Sequence, residues 1–388
     1  MVTIKRTVLI SLTFLIVAVV AVLILLISRS NSAPEFSYPD KIDASLFYPS
    51  QSDTSISTAE TSTNADFSGD ESELSFESTE MPEKVEDDIV FTSNDPLHCF
   101  RLSAFEDTVF ISGTYIGDNV THIEIDGNES IPRYNRYELS AEIKFSAEDG
   151  FYPLKIHLEN GGYLGYRIRS ENKTLSIVSC PDIAEQNRLV ANAPLVVPES
   201  AVVDYIVTGG SHREITDKLN EIRRISDDIC EGIADDYDKA RALASWVSAN
   251  FYYDYEARDS GVTTETLSIA RTLELRRSVC GGYANLYAAL CQAQGIECCI
   301  MQGTVVQNGL TFAEDPESAP SHEWNLVMID GRHIWVDTLW NTGNSYTARS
   351  GYSDGSVKQQ YFDITDEVLA LNHKATRCEL RNYYSLIE

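Results

Sequence analysis

Apolar positions recur with several different rhythms along this chain, and each rhythm predicts a different kind of element. Residues 8–27, VLISLTFLIVAVVAVLILLI, carry no charge, glycine or proline. That length suits a helix crossing the hydrocarbon core of a bilayer and exceeds the apolar part of a typical cleaved signal peptide. Lys5 and Arg6 precede the run, and the flank after it holds only Arg29 before turning acidic. The positive-inside bias therefore puts the N-terminus in the cytoplasm and the rest of the chain outside. The expectation is a cytoplasmic stub and single-pass membrane anchor over residues 1–30, with a cleaved leader as the alternative.

Residues 31–88 have no apolar period and are rich in Ser, Thr, Asp and Glu. Such a segment cannot bury enough apolar surface to offset its ordering entropy, so it reads as a disordered acidic linker. Over residues 89–180 the period becomes two, in short runs such as TVFISGTYI, YELSAEIKF and YPLKIHLEN. GDN, DGN and ENGG punctuate these runs as turns. Several short strands in succession predict a small immunoglobulin-like β-sandwich.

From residue 181 the period lengthens again. Residues 211–230 and 235–255 read as amphipathic helices, the second with Asp235, Asp236 and Asp238 at its start, where the helix dipole favours them. A third helix is expected from Gly282 to Gln294, closed by Gly295 in the C′ position. Alternating strands return in ECCIMQGTVV, HEWNLVMID and HIWVDTLW. Helices followed by an antiparallel sheet define an α+β domain over residues 181–388.

Charge narrows the function classes. Lys and Arg total 30 against 59 Asp and Glu, for a net charge of −29. That balance argues against nucleic-acid binding, which needs a basic footprint, and against docking on anionic lipid. The eight cysteines include no CxxC pair, and Cys298-Cys299 lacks zinc-ligand spacing. No EF-hand loop is present, so neither metal nor cofactor is assigned. Cys99 and Cys180 flank the expected β-sandwich and could bridge it, as could Cys298 or Cys299 with Cys378; spacing leaves the pairing open.

One cysteine stands in different surroundings. In RRSVCGGYANLYAALC, Cys280 lies just ahead of the third helix, where free N–H groups and the dipole stabilise a thiolate. Gly281 and Gly282 leave room for a substrate carbonyl, and their N–H groups could serve an oxyanion. Arg276 and Arg277 add positive charge. A nucleophile also needs a base and a group to orient it. Taking Asp330-Gly331 as a two-residue type I′ turn, Ile329 faces Arg332 and His322 faces Leu339. Asp337 then shares a face with His322 at a diagonal separation of roughly 7–8 Å, within side-chain reach. Cys280, His322 and Asp337 make a coherent triad. His333, on the same face near the turn, is the competing base, and Cys291 reads as core.

The motifs SVCGGYANLYAALCQAQGIE, SHEWNLVMIDGRHIWVDTLWN and NFYYDY resemble the transglutaminase-like superfamily. The closing QQYFDITDEVLALNH is similar to the end of bacterial secreted members. The resemblance runs over residues 205–375. It implies a papain-like core arrangement, with Cys280 matching the nucleophile, His322 the base and Asp337 the orienting acid. Glu323 departs from the pattern, since many relatives have a small residue there. The implied chemistry is extracytoplasmic, thiol-dependent acyl transfer or amide hydrolysis on a peptide or protein amide, with an amine or water as acceptor. A peptidase acting on cell-surface or wall peptides is one alternative. Some members of the superfamily have lost catalysis, so an inactive surface scaffold is the other. Trp324, Trp335 and Trp340, with Gly281, are expected to wall the substrate cleft, and Tyr361 less directly. Tyr253 and Asp254 sit nearby in a structural role.

Overall fold

The computed structural model describes residues 89–199, 202, 212–306 and 321–387. The anchor expected at residues 8–27 and the linker at 31–88 lie outside them. Among the described residues no helix is long and apolar enough to cross a membrane.

Between Val90 and Ile177 the chain forms two five-stranded antiparallel sheets. The alternation read from the sequence accounts for their packing. In the strand Tyr163–Glu171, for example, Leu164, Tyr166, Ile168 and Ser170 turn inward while the residues between them stay partly or fully exposed. Inward residues of both sheets, among them Leu102, Ile111, Ile123 and Ile156, share one apolar core. Asp126 and Gly127 both take positive φ in a two-residue hairpin turn between Ile125 and Asn128, as the DGN signal requires.

The second unit is built around a six-stranded sheet. Its strands are β1 (Leu195–Val196), β2 (Glu297–Val305), β3 (Ser321–Ile329), β4 (Arg332–Val336), β5 (Phe362–Ile364) and β6 (His373–Leu380). Their spatial order is β1-β6-β2-β3-β4-β5, antiparallel except for β1 with β6. The helices used below are α1 (Pro181–Ala191), α2 (His212–Ile229), α3 (Asp236–Asn250), α4 (Cys280–Ala293), α5 (Thr338–Asn341) and α6 (Asp366–Ala370).

Helix α4 is the keystone of the unit. Every residue from Gly281 to Cys291 is buried, so this helix is enclosed on all sides rather than amphipathic. It packs with α2, α3 and the face of the sheet that carries Val327, Ile334 and Val336. Each large apolar side chain removed from water here contributes about 1.5–3 kcal/mol. Asn325, pointing to the same face, fastens the helix to the sheet by donating to the carbonyls of Ala284 and Cys299. The opposite face carries Met301, Trp324, Leu326 and Trp335, which join the apolar core that continues into the two β sheets. Ser93 and Ile364 form a β-bridge at that junction, and the Tyr115 hydroxyl accepts from the Gln359 N–H.

Two expected boundaries move. Helix α4 starts at Cys280 itself, with Val279 as N-cap, so the cysteine occupies the first helical position rather than preceding the helix. The strand expected through Trp340 ends at Val336. Asp337 takes the N-cap of α5 instead, its carboxylate accepting from the Trp340 N–H at 2.9 Å, a role in which aspartate is favoured.

Candidate active site

The hairpin fixes the site's register from a local signal. Asp330 and Gly331 have φ of 52° and 75°, both positive as a type I′ turn demands. Ile329 pairs with Arg332 and Asn325 with Val336. Beyond Val336 there is no strand to face His322, yet the parity carries through the turn of chain. His322 Nε2 and Asp337 Oδ2 lie 2.6 Å apart, both residues almost fully enclosed. The Cys280 thiol lies beside the same imidazole, close enough to favour its protonated form. With Nε2 engaged by Asp337, Nδ1 is the nitrogen left to the sulfur.

The electrostatics follow from this arrangement. Burial alone would push the imidazole down, but the Asp337 charge and hydrogen bond, with a smaller share from Cys280, overcome it and raise His322 to about 10. Burial likewise works against ionised Asp337. The charge and hydrogen bond of His322, and then those of His373, hold the carboxyl well below the usual carboxylate range. A protonated ring beside a thiol is the setting in which a thiolate is stabilised.

A residue outside the sequence expectation completes the cluster. His373 Nε2 lies 3.1 Å from the same Asp337 oxygen, brought there by β6 pairing along β2. Rings close the group: Trp324 stacks on His322 at 6.0 Å and meets His373 edge-on, while Trp340 lies 4.5 Å from His373 and 5.2 Å from Tyr361. The ligand atoms of His322, Asp337 and His373 fall within 4.8 Å of one another. The two hydrogen bonds account for that convergence. The only sequence signal for His373 was the quoted ending LNH, which carries no periodicity that singles it out.

Other expected residues are placed differently. Trp335 is almost fully buried, on the side of the sheet away from α4, and its indole N–H donates to Asp366. Neither it nor Trp324, which is as deeply buried, has exposed surface with which to wall a cleft. His333 pairs with Met328 near the turn, several residues along the strand from Asp337. Arg276 is buried with its guanidinium on the Asn250 carbonyl, and Arg277 pairs with Asp254 at 2.9 Å. Cys291 is fully buried, as expected of core. All eight cysteines are thiols here, and the Cys299 and Cys378 side chains hydrogen-bond each other.

The glycines beside Cys280 do not leave space for substrate. A Cβ on Gly281 would stand 2.5 Å from Leu267 Cδ2 and 2.7 Å from Glu323 Oε2; one on Gly282 would stand 1.9 Å from Ser278 Oγ. Packing against the protein's own side chains is what requires glycine here. Glu323 is held through Oε1, which accepts from Gln302 at 2.9 Å, while Oε2 is buried without a hydrogen-bond partner. Burial raises its pKa, against the opposing pull of Arg381 and Gln302.

Residues 223–338 match the family model of the transglutaminase-like superfamily. That stretch contains Cys280, His322 and Asp337. This part of the chain is a transglutaminase-like domain. Its curated relatives include mouse kyphoscoliosis peptidase, 26% identical over 135 residues, and the human protein of that name, 25% identical over 126 residues. The matches take in 35% and 32% of this chain, and 20% and 19% of those proteins. The chain therefore spans about a fifth of the length of the curated relatives it matches. Among solved structures, a TGase aligns over 52% of this chain and 47% of its own, at 15% identity and a TM-score of 0.26, too low an overlap to carry an argument.

Proposed function

We propose that the transglutaminase-like domain performs thiol-dependent amide chemistry, with Cys280 as nucleophile, His322 as acid and base, and Asp337 as the group that orients it. The observation that carries this reading is the double engagement of His322, one side of the ring on Asp337 and the other on the Cys280 thiol. The thiolate attacks an amide carbonyl and forms a C–S bond, and the Cys280 and Gly281 N–H groups serve the resulting oxyanion, those of Gly282 and Tyr283 being given to the Val279 carbonyl. Collapse breaks the C–N bond as the His322 imidazolium gives its proton to the departing nitrogen. Neutral His322 then takes a proton from water or from a primary amine, which attacks the thioester and releases the thiolate.

Water as acceptor makes the enzyme a hydrolase or peptidase; an amine makes it a transferase. The relatives named as peptidases favour hydrolysis of a peptide amide. The apolar run at residues 8–27 supports an extracytoplasmic, membrane-anchored placement, and the two facing sheets before the domain support an immunoglobulin-like spacer. The test is iodoacetamide labelling near neutral pH, read by peptide mass spectrometry. Cys280 should label much faster than the other seven thiols, and His322→Ala should remove that advantage. Equal, slow labelling of all thiols would instead favour an inactive scaffold. A glutamine-containing peptide incubated with and without a primary amine then separates ammonia release from transfer.

A further inference from the structure

We propose that His373 is a positioning residue for Asp337, an inference that rests on the reading of Cys280, His322 and Asp337 above. Asp337 receives three donors. Its Oδ1 accepts from the Trp340 N–H at 2.9 Å, and its Oδ2 accepts from His322 Nε2 at 2.6 Å and His373 Nε2 at 3.1 Å. A carboxylate held by one donor can turn about its Cβ–Cγ bond. Trp340 and His373 together hold one oxygen each, so the plane of the group is set before His322 arrives.

His373 is itself immobilised. It is fully buried. Its Nδ1 lies 2.5 Å from the Asn372 side-chain oxygen, and the Asn372 amide N–H donates to the Tyr361 hydroxyl at 2.7 Å. Trp324, Trp340 and Tyr361 surround the ring. The titratable groups facing it are Asp337, His322 and, through Asn372, Tyr361. Both ring nitrogens face oxygens, so donating from both needs the protonated ring; burial works against that form and outweighs the pull of Asp337. The chain Tyr361–Asn372–His373–Asp337–His322 runs from the start of β5 through the start of β6 to the catalytic imidazole.

The test measures iodoacetamide alkylation of Cys280 against pH in the full chain, for wild type, His373→Ala, His373→Gln and His322→Ala. Glutamine keeps an N–H able to reach Asp337. Losing one hydrogen bond to a charged group predicts His373→Ala about ten- to a hundredfold slower at pH 6. His373→Gln should stay within about twofold of wild type. The defect should vanish above about pH 9.5, where a thiol ionises unaided. A structural defect would slow or speed alkylation at every pH. The proposal is overturned if His373→Ala matches wild type at pH 6, if both His373 variants are slowed equally, or if the defect persists at high pH. Should His322→Ala leave the pH 6 rate unchanged, the underlying thiol–imidazole reading has failed, and the His373 role falls with it.

Discussion

Gly303 offers a sharp test of how the sheet positions this site. It lies on β2, paired with His322 on β3 and with Ala375 on β6, at a register shift in the β2–β6 ladder. A Cβ added there would stand 2.1 Å from the Lys374 carbonyl oxygen, 2.9 Å from its carbon and 2.8 Å from Trp324 Cη2. Ordinary contact begins at 3.4 Å, so the oxygen and the new carbon must separate by about 1.3 Å. No side-chain rotation can provide this, because the obstacle is backbone tied into the ladder through Thr304 and Lys374. Trp324 is enclosed and has nowhere to move. Gly303→Ala should therefore force β2 and β6 apart. Overpacking of this kind costs about 1–3 kcal/mol, and weakening one or two ladder bonds adds about 0.5–1.5 kcal/mol each, for a total of about 1.5–6 kcal/mol.

The shift would also carry His373, next to Lys374, away from Asp337. Urea unfolding followed by tryptophan fluorescence reads the cost directly. All 4 tryptophans (Trp246, Trp324, Trp335 and Trp340) lie after residue 181, so the signal comes from the unit built on the six-stranded sheet. The same samples, folded, should alkylate Cys280 more slowly near pH 6. A variant within about 0.5 kcal/mol of wild type, the usual range for uneventful surface changes, would refute the steric reasoning.

Further predictions bear on the neighbouring residues. Gly281→Ala should destabilise the domain by about 1–3 kcal/mol, and combining it with Glu323→Ala should recover part of that loss; additivity in the double-mutant cycle would count against the crowding seen at Glu323 Oε2. Because His322 is raised to about 10 from an ordinary 6.5, its stabilisation is full below pH 6.5 and is lost as pH rises toward 10. The gap in urea midpoint between wild type and His322→Ala should narrow across that window, and a constant gap would refute the assignment. Asp337 works in the opposite direction: its lowered pKa stabilises above the ordinary 3.8 and is lost on acidification through the lower folded value. Diamide, which accepts two electrons and two protons as a disulfide forms, should join Cys299 to Cys378. Absence of that disulfide from the products would contradict the contact between the two side chains.

The sequence alone determined whatever depends on near neighbours along the chain. Two residues with positive φ at Asp330-Gly331 set the β3–β4 register, and strand parity then places His322 and Asp337 together. Helix-start geometry marked Cys280, and unbroken apolarity marked Cys291 as core. Alternation between Gly150 and Glu171 was enough to expect paired strands there. The tertiary structure alone decided which distant strands meet. His373 reaches Asp337 because β6 pairs with β2, a contact between residues about seventy positions apart that no local pattern encodes. The same long-range packing turned Trp335 inward against Asp366, filled the space beside Gly281 with Leu267 and Glu323, and ended a strand at Val336 so that Asp337 could cap a helix. Local periodicity states which face of an element is apolar; what covers that face is settled only when the layers close.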